Sequence, residues 1–251
     1  MTAMVLARLL PADQVILVTD VDGIMSADPK LVERPRMIQE IEMSALIGLT
    51  DSGSKFIHKK ALRYKSPTMD VKVINNARGD LRSEGTIIRG SFPENIVVEP
   101  HPGVSMAVTV VGKAISESPE TLQNLFQEIR KFNISILGMS INHNSLILYL
   151  PMDGSRELLE ALHSIVTADQ RTIALAVRKD LSFIDVRGVG LEETPGIVSV
   201  ISKALSSANI NIYGVFTITS SVLLFVDLKD SERATRLIED SVRSYTNLRD
   251  G

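Results

Sequence analysis

One hydrophobic pattern occurs twice in this chain. Val104, Met106, Val108 and Val110 alternate with Ser105, Ala107 and Thr109, the period of two that marks a half-buried strand. Leu122, Leu125, Phe126 and Ile129 then follow the i, i+3, i+4, i+7 spacing of an amphipathic helix. Ser118 is placed to cap that helix and Pro119 to occupy its first position. Strands are expected near 134–141 and 146–150, then a helix with Leu158, Leu159, Leu162 and Ile165 on one side, then a fourth strand over 172–178. The landmarks return 76 residues later without a gap: Gly112 and Gly188, Pro119 and Pro195, Asn133 and Asn209, Gly138 and Gly214, Ser145 and Ser221. A repeat of this size is a copied domain, not a solenoid turn. Thr194 and Pro195 should open the first helix of the second copy, and Ala234, Leu237 and Ile238 mark its last. The fourth strand of that copy would fall at Leu248, and the sequence given ends at Gly251, so it must borrow a strand or do without one.

Ahead of the repeats, residues 3–10 read as a helix and 15–18 as a short buried strand. The strand runs into Thr19-Asp20-Val21-Asp22-Gly23-Ile24, followed by Ser26-Ala27-Asp28-Pro29-Lys30. Ligands of α/β sheets sit beyond the carboxyl ends of strands, but Asp and Gly also make plain turns. The residues alone leave both readings open. Segments 36–48 and 55–65 read as helices and 71–74 as a strand. Segment 91–103, SFPENIVVEPHPG, carries three prolines and reads as a connection. The expected division is 1–95, a linker over 96–103, a first repeat over 104–178 and a second over 179–251.

Composition narrows the function classes. With 251 residues, 44% hydrophobic and 23% charged, the chain can form about two globular domains. A net charge of −3 argues against a nucleic-acid partner, which favours a basic face. The absence of cysteine removes disulfides and thiolate chemistry and fits the cytoplasm. Arg8 interrupts the apolar opening, which makes a poor signal peptide. No apolar run approaches the ~18 residues of a membrane span, so no membrane partner is expected. The four histidines are scattered without ligand spacing, so no protein-bound metal is expected. No Ser/His/Asp arrangement or dinucleotide fingerprint stands out.

TDVDGIMSADPK (19–30), GSKFIHKKA (53–61) and SEGTII (83–88) resemble the second half of the catalytic domain of aspartate kinases. The two repeats resemble the paired ACT regulatory domains of the same family. The resemblance implies an α/β and α+β chain: a partial amino acid kinase fold followed by two ferredoxin-like βαββαβ (ACT) domains. It places Thr19 and Asp20 beside ATP. Met25 stands where the family carries an aromatic, and Lys30 where it carries an Arg, which keeps the charge but loses the bidentate fork. Lys55 and Phe56 match a segment that touches nucleotide, with Lys55 the phosphate partner; Lys59 replaces the family's Pro. The implied cofactor is ATP, with magnesium. The family also carries a Lys-Phe-Gly-Gly strand and a Gly-Gly-Ser-Asp turn, and neither occurs in these 251 residues. Phosphoryl transfer rests on positioned charge, so no catalytic residue is assigned and the chain is expected to be inactive alone. A fragment, a truncated gene and a short subunit beside a full-length kinase chain all fit.

In the repeats, a glycine turn ahead of a helix presents backbone N–H groups to a carboxylate. Gly188, Gly190, Glu193, Thr194, Pro195, Gly196 and Ile197 resemble the ACT Asp-x-Pro-Gly-Ile loop, with Glu193 in the Asp position; Asn209 and Asn211 could meet an α-amino group. Glycine as a plain turn former is an equal alternative. Lysine-sensitive relatives place carboxylates where this chain has Leu137 and Asn142-His143, which leaves threonine or no effector. Exposed edges near 134–141 and 210–216 are expected to pair, giving a homodimer through 104–251 with the glycine loops facing across the seam. Two functions compete. One is an aspartokinase chain, which phosphorylates L-aspartate to 4-phospho-L-aspartate at the head of aspartate-family amino-acid synthesis. The other is a non-catalytic, amino-acid-sensing regulatory subunit or dimerisation module.

Overall fold

The structure is a computed structural model that describes residues 2–250 except 11, 52–60, 62, 63, 94, 154, 189, 190, 192, 193 and 219. Its N-terminal part holds helix α1 (Thr2–Leu9), strands β1 (Gln14–Thr19) and β2 (Glu40–Glu42), helix α2 (Met43–Asp51), and strands β3 (Asp70–Asn75) and β4 (Thr86–Arg89). The sheet order is β1-β3-β4-β2. β1 and β3 are parallel and end together, Thr19 opposite Asn75. Apolar runs in both strands put Val15, Val71 and Val73 into one core with Met4, Ile24, Leu46 and Ile88. The helix expected over 36–48 begins only at Met43, because Ile41 pairs in register with Ile88 and draws Glu40–Glu42 into the sheet. Most of the helix expected over 55–65 lies outside the described residues. Where the sheet hands over to the rest of the chain, buried Lys65 donates to the carbonyl of Gly90. Desolvation lowers the pKa of Lys65, opposed by the charges of Asp70 and Glu42.

The remaining elements are β5 (Val97–Pro100), β6 (Ser105–Gly112), α3 (Pro119–Lys131), β7 (Gly138–Asn142), β8 (Ser145–Pro151), α4 (Ser155–Ala168), β9 (Thr172–Arg187), α5 (Ile197–Ser207), β10 (Gly214–Ile218), β11 (Ser221–Asp227) and α6 (Ser231–Asp250). Their sheet runs β10-β11-β9-β6-β8-β7, with β5 also on β9. β9 has 16 residues and serves both copies. Its first part pairs with β6 as the last strand of copy one, and its second part pairs with β11 as the first strand of copy two. The β8–β6 and β7–β8 registers recur in β11–β9 and β10–β11 with every partner moved by the same 76 residues: Ser145↔Val111 becomes Ser221↔Arg187, and Gly138↔Tyr149 becomes Gly214↔Phe225.

The strand that copy two needs comes from the segment expected to be a linker. Val97–Pro100 pairs antiparallel with residues 184–187 of β9, and β5 followed by β6 runs alongside β9 for most of its length. Each copy therefore gives its leading strand to the other. The repeating unit begins near residue 97, not 104. Pro100 is tolerated because it ends a strand bonded on one side, where a missing N–H costs nothing in the ladder. At Leu248, where a strand was expected, α6 continues instead.

Three cores result. Two lie under the helices and use equivalent residues: Val108, Leu125, Leu148 and Leu162 in copy one, Ile184, Ile201, Leu224 and Ile238 in copy two. The third joins the uncovered sheet faces about a pseudo-twofold axis. Tyr149 stacks on its own counterpart Phe225 at 4.0 Å, and Phe225 on Phe183 at 5.0 Å. The Tyr149 hydroxyl donates to the carbonyl of Tyr213 at 2.6 Å, and burial raises its pKa.

Two helix starts differ from expectation. Pro119 does open α3, but the Ser118 hydroxyl donates back to the carbonyl of Ala114 and makes no capping bond. α5 opens at Ile197, two residues after Pro195, because Gly196 is left-handed with φ +88° and acts as the cap.

Candidate functional site

Two places gather the residues singled out by sequence. The first is the shared carboxyl end of β1 and β3. Thr19 and Asn75 face each other there as the last pair of the ladder. The Thr19 hydroxyl folds onto its own loop, donating to the carbonyl of Val21 and accepting the Val21 N–H, both at 3.2 Å. Asp20 is exposed beside it. Asp22 accepts from the Asn75 side-chain amide at 3.1 Å and lies 3.6 Å from the Arg78 guanidinium. Asn75 also accepts the Ala77 N–H at 2.8 Å, which holds the short 3₁₀ turn carrying Arg78.

The loop after Asp22 returns along residues 36–38. Met25 bridges Met37, the Ser26 N–H donates to the Arg36 carbonyl, and the Ile38 N–H donates to the Ile24 carbonyl, the last two at 2.8 Å. At its tip Asp28 accepts the Lys30 N–H at 2.8 Å, and the Lys30 side chain is exposed. The structure thus places Thr19, Asp20, Met25 and Lys30 on one loop system over the strand ends. Lys55 and Phe56 lie outside the described residues. Asp22, Asn75 and Arg78 were not singled out by sequence. A signal for them existed: Asn75-Asn76-Ala77-Arg78-Gly79 follows a buried strand just as the Asp-rich segment follows β1.

The second place is the turn from β9 to α5. Gly188 is buried and its N–H donates to the carbonyl of Ser220 at 3.0 Å. Gly190 and Glu193 lie outside the described residues. Thr194, Pro195 and Gly196 form the turn before the helix, and the Ile197 N–H already donates to the carbonyl of Thr194 at 3.2 Å. Tyr245 of α6 covers this turn, its hydroxyl donating to the carbonyl of Pro195 at 2.6 Å. The residue equivalent to Tyr245 in copy one is Asp169. It accepts from the Thr121 hydroxyl and the Arg171 N–H, and these bonds, the Thr121 one foremost, hold its carboxyl below the usual range. There the seam stays open as a cavity of about 530 Å³ lined by Glu120, Thr121, Asn124, Asp169 and Arg171 among others.

The expected facing of glycine loops is not met within the chain. Gly112 and Gly188 sit at opposite ends of the β6–β9 arrangement, since Gly112 pairs with Thr172 while Gly188 follows Arg187. Asn209 has a backbone reason to be there: φ is +57°, and it ends α5 as Asn133 ends α3 at +52°. Asn211 is exposed after it. Among the described residues no helix is long and apolar enough to cross a membrane.

The sequence profile of the amino acid kinase family matches residues 1–75. The aspartokinase of Corynebacterium glutamicum is 25% identical over 95% of this chain and 59% of its own length. That of Helicobacter pylori is 22% identical over 95% of this chain and 60% of its own. By sequence, most of the chain is similar to aspartokinases. It spans about three fifths of the length of these relatives. In fold it is similar to the aspartate kinase from Synechocystis, with a TM-score of 0.74 at 21% identity, covering 96% of this chain and 44% of that one. It is also similar to the regulatory subunit of aspartate kinase from Thermus thermophilus, with a TM-score of 0.50 at 18% identity, covering 59% of this chain and 97% of that one. A partial amino acid kinase fold followed by two ferredoxin-like ACT units describes this aspartokinase relative.

Proposed function

We propose that the chain is the nucleotide-facing and amino-acid-sensing portion of an aspartokinase, and that by itself it transfers no phosphate. The observation that carries this reading is a juxtaposition. The 19–30 loop meets Asn75 and Arg78 at the ends of two parallel strands, and the same chain continues into two interlocked copies of one repeat. ATP bound at that end, with magnesium, supplies the phosphoryl group and the charge neutralisation for reaction at the β-carboxylate of aspartate. Thr19 and Asp20 face the nucleotide, Met25 packs beside it, and Lys30, Lys55 and Arg78 offer positive charge, with Phe56 next to Lys55. The phosphate-lysine strand and the glycine turn do not occur in these 251 residues, so phosphoryl transfer needs groups that these residues do not supply. The setting is cytoplasmic.

The sensing role belongs to the turn at 188–197 with Asn209 and Asn211, for threonine or a similar small amino acid. The edge strands β7 and β10 favour a homodimer through 104–251, since Met139, Ile141, Val215 and Ile218 are exposed there. A second reading, a purely regulatory subunit, is favoured by the similarity to a protein described as the regulatory subunit of an aspartate kinase.

An assay of aspartate-dependent ADP release by the chain tests what both readings expect, and ATP binding, weak in the first and absent in the second, separates them. No turnover is expected, and steady turnover abolished by Lys55→Ala would overturn the proposal. Only weak ATP binding is expected in calorimetry; micromolar binding would show that the other half of the pocket is not needed. An amino acid that raises Tm should lose that effect in Gly190→Val. Light scattering that finds a monomer at about tens of micromolar would end the dimer.

A further inference from the structure

The loop that carries the nucleotide-facing residues is pegged to the sheet by one hydroxyl. Thr86, on β4, is completely buried. Its oxygen accepts the Ile24 N–H at 2.8 Å, and its hydroxyl donates to the carbonyl of Ile38 at 2.6 Å. Ile24 and Ile38 are themselves bonded across the loop, Ile38 N–H to Ile24 carbonyl at 2.8 Å. The three groups close a small ring that ties both arms of the loop to β4. Gly23 fits this arrangement because it has no side chain: φ is +153°, and a Cβ there would stand 2.6 Å from the Thr86 oxygen. No other side-chain hydrogen bond between the described residues reaches the loop arms from β4.

We infer that Thr86 is a positioning residue for the nucleotide site, acting through the Ile24 N–H on a loop whose binding role rests on the reading above. A hydroxyl suits the task better than an apolar side chain because it accepts and donates at once. Valine fills the same volume but would leave a buried N–H and a buried carbonyl without partners, a loss that falls on the loop first. Serine keeps both bonds and gives up only a methyl group.

The test uses the whole chain with ATP and magnesium, titrated while the amide NMR signals of residues 19–30 are followed. Thr86→Val should weaken ATP binding by about fivefold or more and Thr86→Ser by no more than about twofold. Thr172→Val, which removes a buried hydroxyl of copy one that donates to the carbonyl of Val166, should leave ATP affinity unchanged. Equal affinity in Thr86→Val and the unmodified chain overturns the inference, as does an equal loss in Thr86→Ser or in Thr172→Val. If ATP shifts no signal in the unmodified chain, the reading of the site fails, and hydrogen exchange at the Ile24 amide decides the peg alone. Rapid exchange in Thr86→Val with protection kept in Thr86→Ser upholds it; the same exchange in all three overturns it.

Discussion

The two copies of the repeat share their strand registers residue for residue, yet only the first is complete in chain order. Copy one draws three strands from its own stretch and closes on the start of β9. Copy two closes on β5, the leading strand of copy one, which directly follows the N-terminal sheet. A repeat with its leading strand exchanged in this way cannot be cut into two independent domains. It also ties the N-terminal part to copy two by backbone hydrogen bonds, not by a slack tether. The copies differ again where the last helix meets the first. Asp169 holds an open polar seam in copy one, and its counterpart Tyr245 closes the seam in copy two.

The largest effect should come from the core that joins the copies. Phe225→Ala removes the ring between Tyr149 and Phe183 and should cost about 3–5 kcal/mol in denaturant unfolding. A loss under about 1 kcal/mol would mean that the copies do not share a core. The equivalent pair Leu148→Ala and Leu224→Ala, both fully buried, should each cost about 2–5 kcal/mol and lower one common transition. Two separate transitions would break the comparison.

Much of this was legible in the sequence, and the misses have physical causes. The alternation at 104–110 and the stripe from Leu122 to Ile129 fixed the elements of copy one because one face of each is buried. The 76-residue spacing carried over to copy two for the same reason. The phase of the repeat was not legible, because Val97–Pro100 and its counterparts in β9 keep few residues in common, and the prolines around β5 read as a connection. Thr19 and Asp20 were found at the end of a buried strand. Their partners Asn75 and Arg78 became visible only once β1 and β3 proved to be parallel neighbours. Nothing in the sequence pointed to Thr86 as the peg, since its bonds join residues 62 and 48 positions away.

Smaller effects sharpen the contrast between the copies. Tyr245→Phe should cost about 1 kcal/mol through the lost bond to Pro195. Asp169→Asn should cost a similar amount of about 1 kcal/mol at neutral pH. The Asp169 carboxyl is held below its ordinary pKa by Thr121 and the Arg171 N–H, so its contribution is present above the unfolded value and fades as pH falls through the folded one. Asp185 on β9 behaves oppositely. Desolvation raises its pKa, outweighing the charge of Arg187, so the folded state loses stability as pH rises from the unfolded value through the folded one. Asp185→Asn should therefore be neutral or stabilising at pH 7, and urea midpoints across pH 3–8 would show the two aspartates with opposite signs.

The exchange of leading strands is tested most directly by a crosslink in a chain that has no cysteine of its own. Val98 and Val186 are direct partners across β5 and β9, a placement within reach of a disulfide. The double variant Val98→Cys, Val186→Cys should oxidise to a bond within one chain, leaving no free thiol and no covalent dimer under non-reducing conditions. Thiols that stay free, or a dimer joined through this pair, would contradict the assignment of β5 to the second copy of its own chain.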